Sequence, residues 1–173
     1  HARVLKTVPD ALLVLVPRHP QRFGTVRELV EKRGFTLVSR TEQTSVPPDC
    51  RVFLGDTMGE LTLFYAAADA AFVGGSLVEI GGHSLLEPAA VSVAMLAGPF
   101  NFNAQEIADL FVESGACRLV NDSDALGDAI IELFGDPGAR RRMVDSATDI
   151  LEANRGALSR LLEVVRPLLG ERP

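Results

Sequence analysis

Within Phe72–Pro88, FVGGSLVEIGGHSLLEP, two Gly-Gly pairs stand beside a histidine, two serines and two carboxylates. An apolar run ends in Gly74-Gly75, and an irregular loop carrying Ser76 and Glu79 follows. Gly81-Gly82 then leads into a helical pattern with His83, Ser84 and Glu87. Glycines let a backbone approach a ligand closely, and free N–H groups with a helix dipole favour negative charge. A carboxylate one turn into the helix can accept from hydroxyls. This chemistry suits a nucleotide or a sugar phosphate.

Two other segments carry chemistry. In Pro17-Arg18-His19-Pro20-Gln21-Arg22-Phe23, two prolines stiffen a loop. Arg18 can grip an anion bidentately, and His19 can donate through either ring nitrogen. A rigid turn with surface ion pairs fits that spacing equally well. In Asp56-Thr57-Met58-Gly59-Glu60, Thr57-x-x-Glu60 reads as a capping box closing the next helix. The same geometry would leave the Met58 and Gly59 N–H groups free for a base or phosphate; spacing favours the cap. Ser84-x-x-Glu87 offers a second box, but Pro88 then falls where an intrahelical N–H is needed. A helix starting one or two residues later removes the clash and leaves Glu87 for other work, such as accepting from two ribose hydroxyls. Glu79 is expected in solvent. His83 is expected as a hydrogen-bond donor to phosphate. No second His, Cys or acidic cluster stands at metal-ligand spacing, so no metal or cofactor is expected.

These loops need strands to present them. Apolar runs at Ala11–Val16, Phe35–Val38, Arg51–Leu54, Ala70–Val73, Val93–Ala97 and Arg118–Val120 have strand length. Helical patterns alternate with them at Thr25–Arg33, Gly59–Ala68, Leu85–Ser92 and Ala104–Ser114. From about Asp124 the chain reads as helical, broken at Gly135-Asp136-Pro137 and again near Arg155-Gly156. The expectation is an α/β fold: a Rossmann-like parallel sheet of about six strands with helices on both faces. In such sheets ligands bind beyond the carboxyl ends of the strands. The loops Pro17–Phe23, Gly55–Glu60, Gly74–His83 and Gly98–Asn103 all follow strands, so all four should open on one edge.

Composition narrows the alternatives. The 173 residues suit one domain, and 47% apolar residues are enough for a real core. A net charge of −6 argues against nucleic acid or an anionic membrane surface as the main partner. Arg140–Arg142, the only basic cluster, is expected to be a solvated helix face. Cys50 and Cys117 have no CxxC spacing and read as packed thiols in a reducing compartment. The apolar runs are too short to span a bilayer, and no signal peptide is visible. A chain beginning at His1 is expected to be part of a longer protein. GxGxxG is absent after the first strand and GxxxxGK[ST] is absent throughout, which disfavours nicotinamide dinucleotides and P-loop triphosphates.

Together, VPRHPQRF, GDTMGELTLFYAAADAAFVGGSLVEIGGHSLLEPAA and LAGPFNFN resemble the C-terminal half of 3-deoxy-D-manno-octulosonic acid (Kdo) transferase. The resemblance spans most of residues 11–120, and NRGAL in the tail is also similar. It implies the donor half of a two-domain GT-B glycosyltransferase that moves Kdo from CMP-Kdo to the lipid A precursor of Gram-negative lipopolysaccharide. Residues 1–173 would then be one CMP-Kdo-binding domain, with the N-terminal acceptor domain absent. By position, Arg18 and His19 would line the cleft, and Met58, Gly59 and Glu60 would lie beside the cytidine. Gly81, Gly82, His83 and Ser84 would hold the phosphate end and Glu87 the ribose, with Ser76 also among the CMP-Kdo-binding residues. The catalytic acidic base and the membrane-associated segment would belong to the missing half. The whole enzyme would work at the cytoplasmic face of the inner membrane, while the fragment alone would be soluble and inactive.

Three positions depart from the family pattern. Ser84 stands where Asn is usual, Glu79 where Pro is common, and Ala94 where the strand usually begins with Pro. A serine hydroxyl is shorter than an amide and offers one donor instead of two. Two other readings remain: a GT-B donor half for a UDP-sugar, and a non-catalytic interaction domain that keeps the fold without the ligand.

Overall fold

Six short aliphatic runs become parallel strands in the structure, a computed structural model that describes residues 1–42 and 45–155. The elements run α1 (Val4–Thr7), β1 (Leu13–Leu15), α2 (Phe23–Lys32), β2 (Leu37–Ser39), β3 (Val52–Leu54) and α3 (Leu61–Ala66). They continue with β4 (Ala70–Val73), α4 (Leu86–Ala90), β5 (Ala94–Ala97), α5 (Gln105–Glu113), β6 (Cys117–Leu119), α6 (Ser123–Gly135) and α7 (Pro137–Ala153). The α1 turn has no counterpart in the sequence expectation, because four residues are too few to show a period. The break expected near Arg155-Gly156, and the tail beyond it, lie outside the described residues.

The α/β class and the parallel pairing are as expected, but the strands divide into two sheets among the described residues. One has the order β1-β3-β2 and the other β4-β5-β6. Pro9 and Pro17, which carry no N–H, bracket the first run and leave β1 three residues long. Its ladder runs to β3 alone. The chain crosses from the first sheet to the second between β3 and β4, where a doubly wound fold places its ligand.

The second sheet shows why its strands read as unbroken apolar runs. On β5, Ala94 and Leu96 face one side, against Ala129, Leu133 and Met143 of α6 and α7. Met95 and Ala97 face the other, with Val73, Leu85, Ala89, Phe111 and Ala147. A strand covered by helices on both faces has no polar side to alternate with. The α6–α7 break falls at Asp136, whose Oδ1 accepts the Ala139 N–H at 2.8 Å while Pro137 opens α7. Cys50 and Cys117 are both free and buried, and burial pushes the Cys117 thiol up to about 12. At neutral pH it is an inert packing group.

Candidate functional site

The loops after β1, β3, β4 and β5 converge at the carboxyl ends of the strands. The clearest join is a hydrogen bond of 2.8 Å between Arg18 Nη1, after β1, and His83 Nδ1, after β4. It ties the edge of one sheet to the edge of the other. Arg18, His19, Ser84 and Glu87 are exposed and His83 is half-buried. Burial first, then the Arg18 charge, pulls the His83 ring below the ordinary histidine range; His19 adds to this and Glu87 opposes it. Glu87 also faces Tyr65 of α3, whose hydroxyl is pushed up by burial and further by that carboxylate.

Around this join the backbone is only partly committed. The Gly82 N–H donates to the Phe100 carbonyl at 2.7 Å and the His83 N–H to the Gly74 carbonyl at 3.3 Å. Both Gly81 and Gly82 are buried. The second glycine pair therefore packs the β4–α4 loop onto the β5–α5 loop, and the Gly82 and His83 amides are already spent. Sequence reasoning had counted them as free. The N–H groups of Ser84, Leu85 and Glu87 have no partner among the described residues.

Pro88 decides the helix start as expected. α4 begins at Leu86, two residues after Ser84, and Ser84 Oγ accepts the Leu86 N–H at 3.3 Å. No Ser84–Glu87 box forms, and the Glu87 carboxylate makes no hydrogen bond or ion pair among the described residues.

Ser76 is a correction. It was expected against the ligand, but it is fully buried, with Oγ donating to the Val73 carbonyl at 2.6 Å and accepting the Gly98 N–H at 2.7 Å. A side chain with no exposed surface and both hydrogen bonds used is a tether between the β4 and β5 loops. Ser76→Ala is expected to cost about 1–3 kcal/mol, because the buried Gly98 N–H loses its partner. Urea denaturation would show the lower midpoint, and ligand affinity of the folded variant should not change.

The β3–α3 loop brings a second correction. α3 begins at Leu61 with no side-chain cap, so the Thr57–Glu60 capping box does not close it. Instead Thr57 Oγ1 donates to Glu60 Oε2, and Arg40 Nη2, just after β2, donates to Glu60 Oε1 at 3.0 Å. The arginine and the Thr57 hydroxyl hold the carboxylate that the cap would need, and both bonds keep Glu60 below the usual carboxylate range. Met58 is 64% exposed, and the Met58 and Gly59 N–H groups have no partner among the described residues.

Asp56 clamps this loop to the end of β2 by accepting the Thr41 N–H at 2.9 Å and the Thr41 hydroxyl. Burial raises its pKa, but the hydrogen bonds of Thr41, Ser39 and its own backbone together hold it below the ordinary value. The folded state then binds fewer protons than the unfolded chain. Asp56 thus adds stability above the ordinary Asp value of about 3.9, and loses it as pH falls through the lower folded value. Asp56→Asn is expected to flatten the fall of the denaturation midpoint in that acid window.

Sequence reasoning missed Arg40 and Asn101. Asn101 is 5% exposed; its Nδ2 donates to the Gly98 carbonyl at 2.6 Å while its buried Oδ1, which has no partner among the described residues, lies beside Gly82. The signal for Asn101 was present, since it is a polar amide that ends the otherwise apolar run Ala94–Phe100, and such an amide is unusual inside a core.

Comparisons with known proteins identify the family and the fold. The 3-deoxy-D-manno-octulosonic acid transferase of Haemophilus influenzae is 41% identical over 170 residues, 98% of this chain and 40% of that protein. The crystal structure of the C-terminal CMP-Kdo binding domain of WaaA from Acinetobacter baumannii matches with a TM-score of 0.83. It is 35% identical, over 87% of this chain and 78% of that one. The family model "Glycosyl transferases group 1" matches residues 3–149. The chain belongs to the group 1 glycosyl transferases, in their Kdo transferase branch. The Kdo transferase of Bordetella pertussis is 35% identical over 94% of this chain and 38% of that protein. The chain thus spans about two-fifths of the curated transferases it matches. Its fold is the Rossmann-like C-terminal half of a GT-B glycosyltransferase. No described helix is long and apolar enough to cross a membrane.

Proposed function

We propose that this chain is the donor-binding domain of a Kdo transferase and holds CMP-Kdo for transfer to a lipid A precursor. The observation that carries the reading is the meeting of Arg18, His83 and an unengaged Glu87 at the crossover between the sheets. The ring and guanidinium donors, with the free Ser84 and Leu85 amides, receive the phosphate. Glu87 accepts from ribose hydroxyls, and the N–H groups of Met58 and Gly59 lie where a pyrimidine edge can meet them. Ser84 supplies one donor where most of the family has an amide.

In the reaction an acceptor hydroxyl attacks the anomeric carbon while the bond to the phosphate oxygen breaks and CMP leaves with the electron pair, inverting the centre. Charge builds on that phosphate in the transition state, so donors fixed around it lower the barrier. They do nothing for the nucleophile. An acidic base from a preceding domain must activate it, and that domain would also carry the acceptor and meet the inner membrane at its cytoplasmic face.

Calorimetric titration of the chain with CMP and CMP-Kdo, with UDP as the competing ligand, tests the reading. Weak binding of CMP, tighter than UDP, and no transfer by the chain alone are expected. Silence at millimolar CMP and CMP-Kdo would sink it, and preference for UDP would make this a UDP-sugar domain.

A further inference from the structure

We propose that Arg18 is a positioning residue for His83: it holds the imidazole neutral, with Nδ1 as acceptor and the proton on Nε2. A guanidinium only donates. In the 2.8 Å contact between Arg18 Nη1 and His83 Nδ1 the ring nitrogen must therefore be the acceptor, with its lone pair free. An imidazolium has no free lone pair, so the bond exists only while the ring is uncharged. A neutral ring whose Nδ1 accepts must carry its hydrogen on Nε2.

The surroundings support the same state. From the β1–α2 loop, the Arg18 charge and His19 face the ring, and both oppose its protonation. From α4, Glu87 favours protonation, and beyond it Tyr65 of α3 faces that carboxylate. Burial outweighs Glu87, and the ring stays below the ordinary histidine range. The consequence for the ligand rests on the donor-site reading. The phosphate would meet a neutral Nε2–H donor, while its charge would be answered by the remaining guanidinium N–H groups of Arg18. One arginine would then orient the histidine and neutralise the anion.

Two-bond 1H–15N correlation spectra of the labelled chain test this without a ligand, with His83 assigned through His83→Gln. The expected result is a single Nε2–H tautomer at neutral pH and a titration midpoint below the ordinary histidine value. Arg18→Ala and, separately, Arg18→Gln are expected to admit the Nδ1–H tautomer and shift the midpoint upward. Arg18→Lys, which keeps the charge but loses the reach, should hold the midpoint nearer wild type while releasing the tautomer. The amide spectrum reports whether each variant folds. A wild-type ring with Nδ1–H populated, or an unchanged tautomer and midpoint in both Arg18→Ala and Arg18→Gln, overturns the proposal. The expected tautomer behaviour in a chain that ignores CMP would support the positioning role and sink the donor site alone.

Discussion

Gly98→Ala is expected to lower the stability of this domain by about 3 kcal/mol, the upper end of the usual cost of overpacking, because the contact cannot relax. A Cβ at Gly98 would sit 2.1 Å from the Ser76 carbonyl oxygen, 2.4 Å from its carbon and 2.6 Å from the Leu77 nitrogen. All three are backbone atoms, so no side chain can swing away. Ser76 is pinned in turn by its bonds to Val73 and Gly98, and its carbonyl accepts the Phe100 N–H at 2.9 Å. The methyl must therefore push apart the two loops that carry His83 and Asn101. Chemical denaturation should show the midpoint falling with little change in slope. Gly74→Ala is the control, because nothing lies within 4 Å of its Cβ position. A Gly98→Ala protein with the wild-type midpoint would mean that the two loops do not pack as described.

Glu87→Ala is expected to do the opposite: leave the fold alone and remove the ligand. The carboxylate is exposed in the first turn of α4 and is used by no hydrogen bond or ion pair among the described residues. Its loss should change stability by no more than about 0.5 kcal/mol. Hydrogen bonds to a charged group are worth about 1.5–3 kcal/mol, so CMP affinity should fall roughly ten- to a hundredfold. Paired titration and denaturation of the one variant separate the readings. A non-catalytic domain predicts that Glu87→Ala touches stability alone. Unchanged affinity would remove Glu87 from the site.

The contrast between Ser76 and Glu87 shows how far the site could be read from residue order. Both are polar and both lie in the glycine-rich segment, so type and spacing rank them together. The structure separates them by partner. Ser76 is consumed by Val73 and Gly98, residues on either side of a strand pairing that only the folded chain creates. Glu87 is released because Pro88 forbids a helix start at Ser84, a local rule visible in the five letters SLLEP. Glu60 was misread for the same reason as Ser76. Its competitor for the cap, Arg40, is twenty residues away and arrives through the β2–β3 pairing.

Residue order alone sets whatever depends on neighbours along the chain. Buried strands follow from continuous apolar runs, and the α6–α7 break follows from Asp136-Pro137. The convergence of four loops on one edge follows from parallel strands. Packing in three dimensions selects which polar groups remain free. The Gly82 and His83 amides, the Ser76 hydroxyl and the Glu60 carboxylate were claimed by Phe100, Gly74, Gly98 and Arg40. The division into two sheets was settled there as well. A buried donor or acceptor must find a partner wherever packing supplies one, and packing brings together residues that the sequence keeps apart.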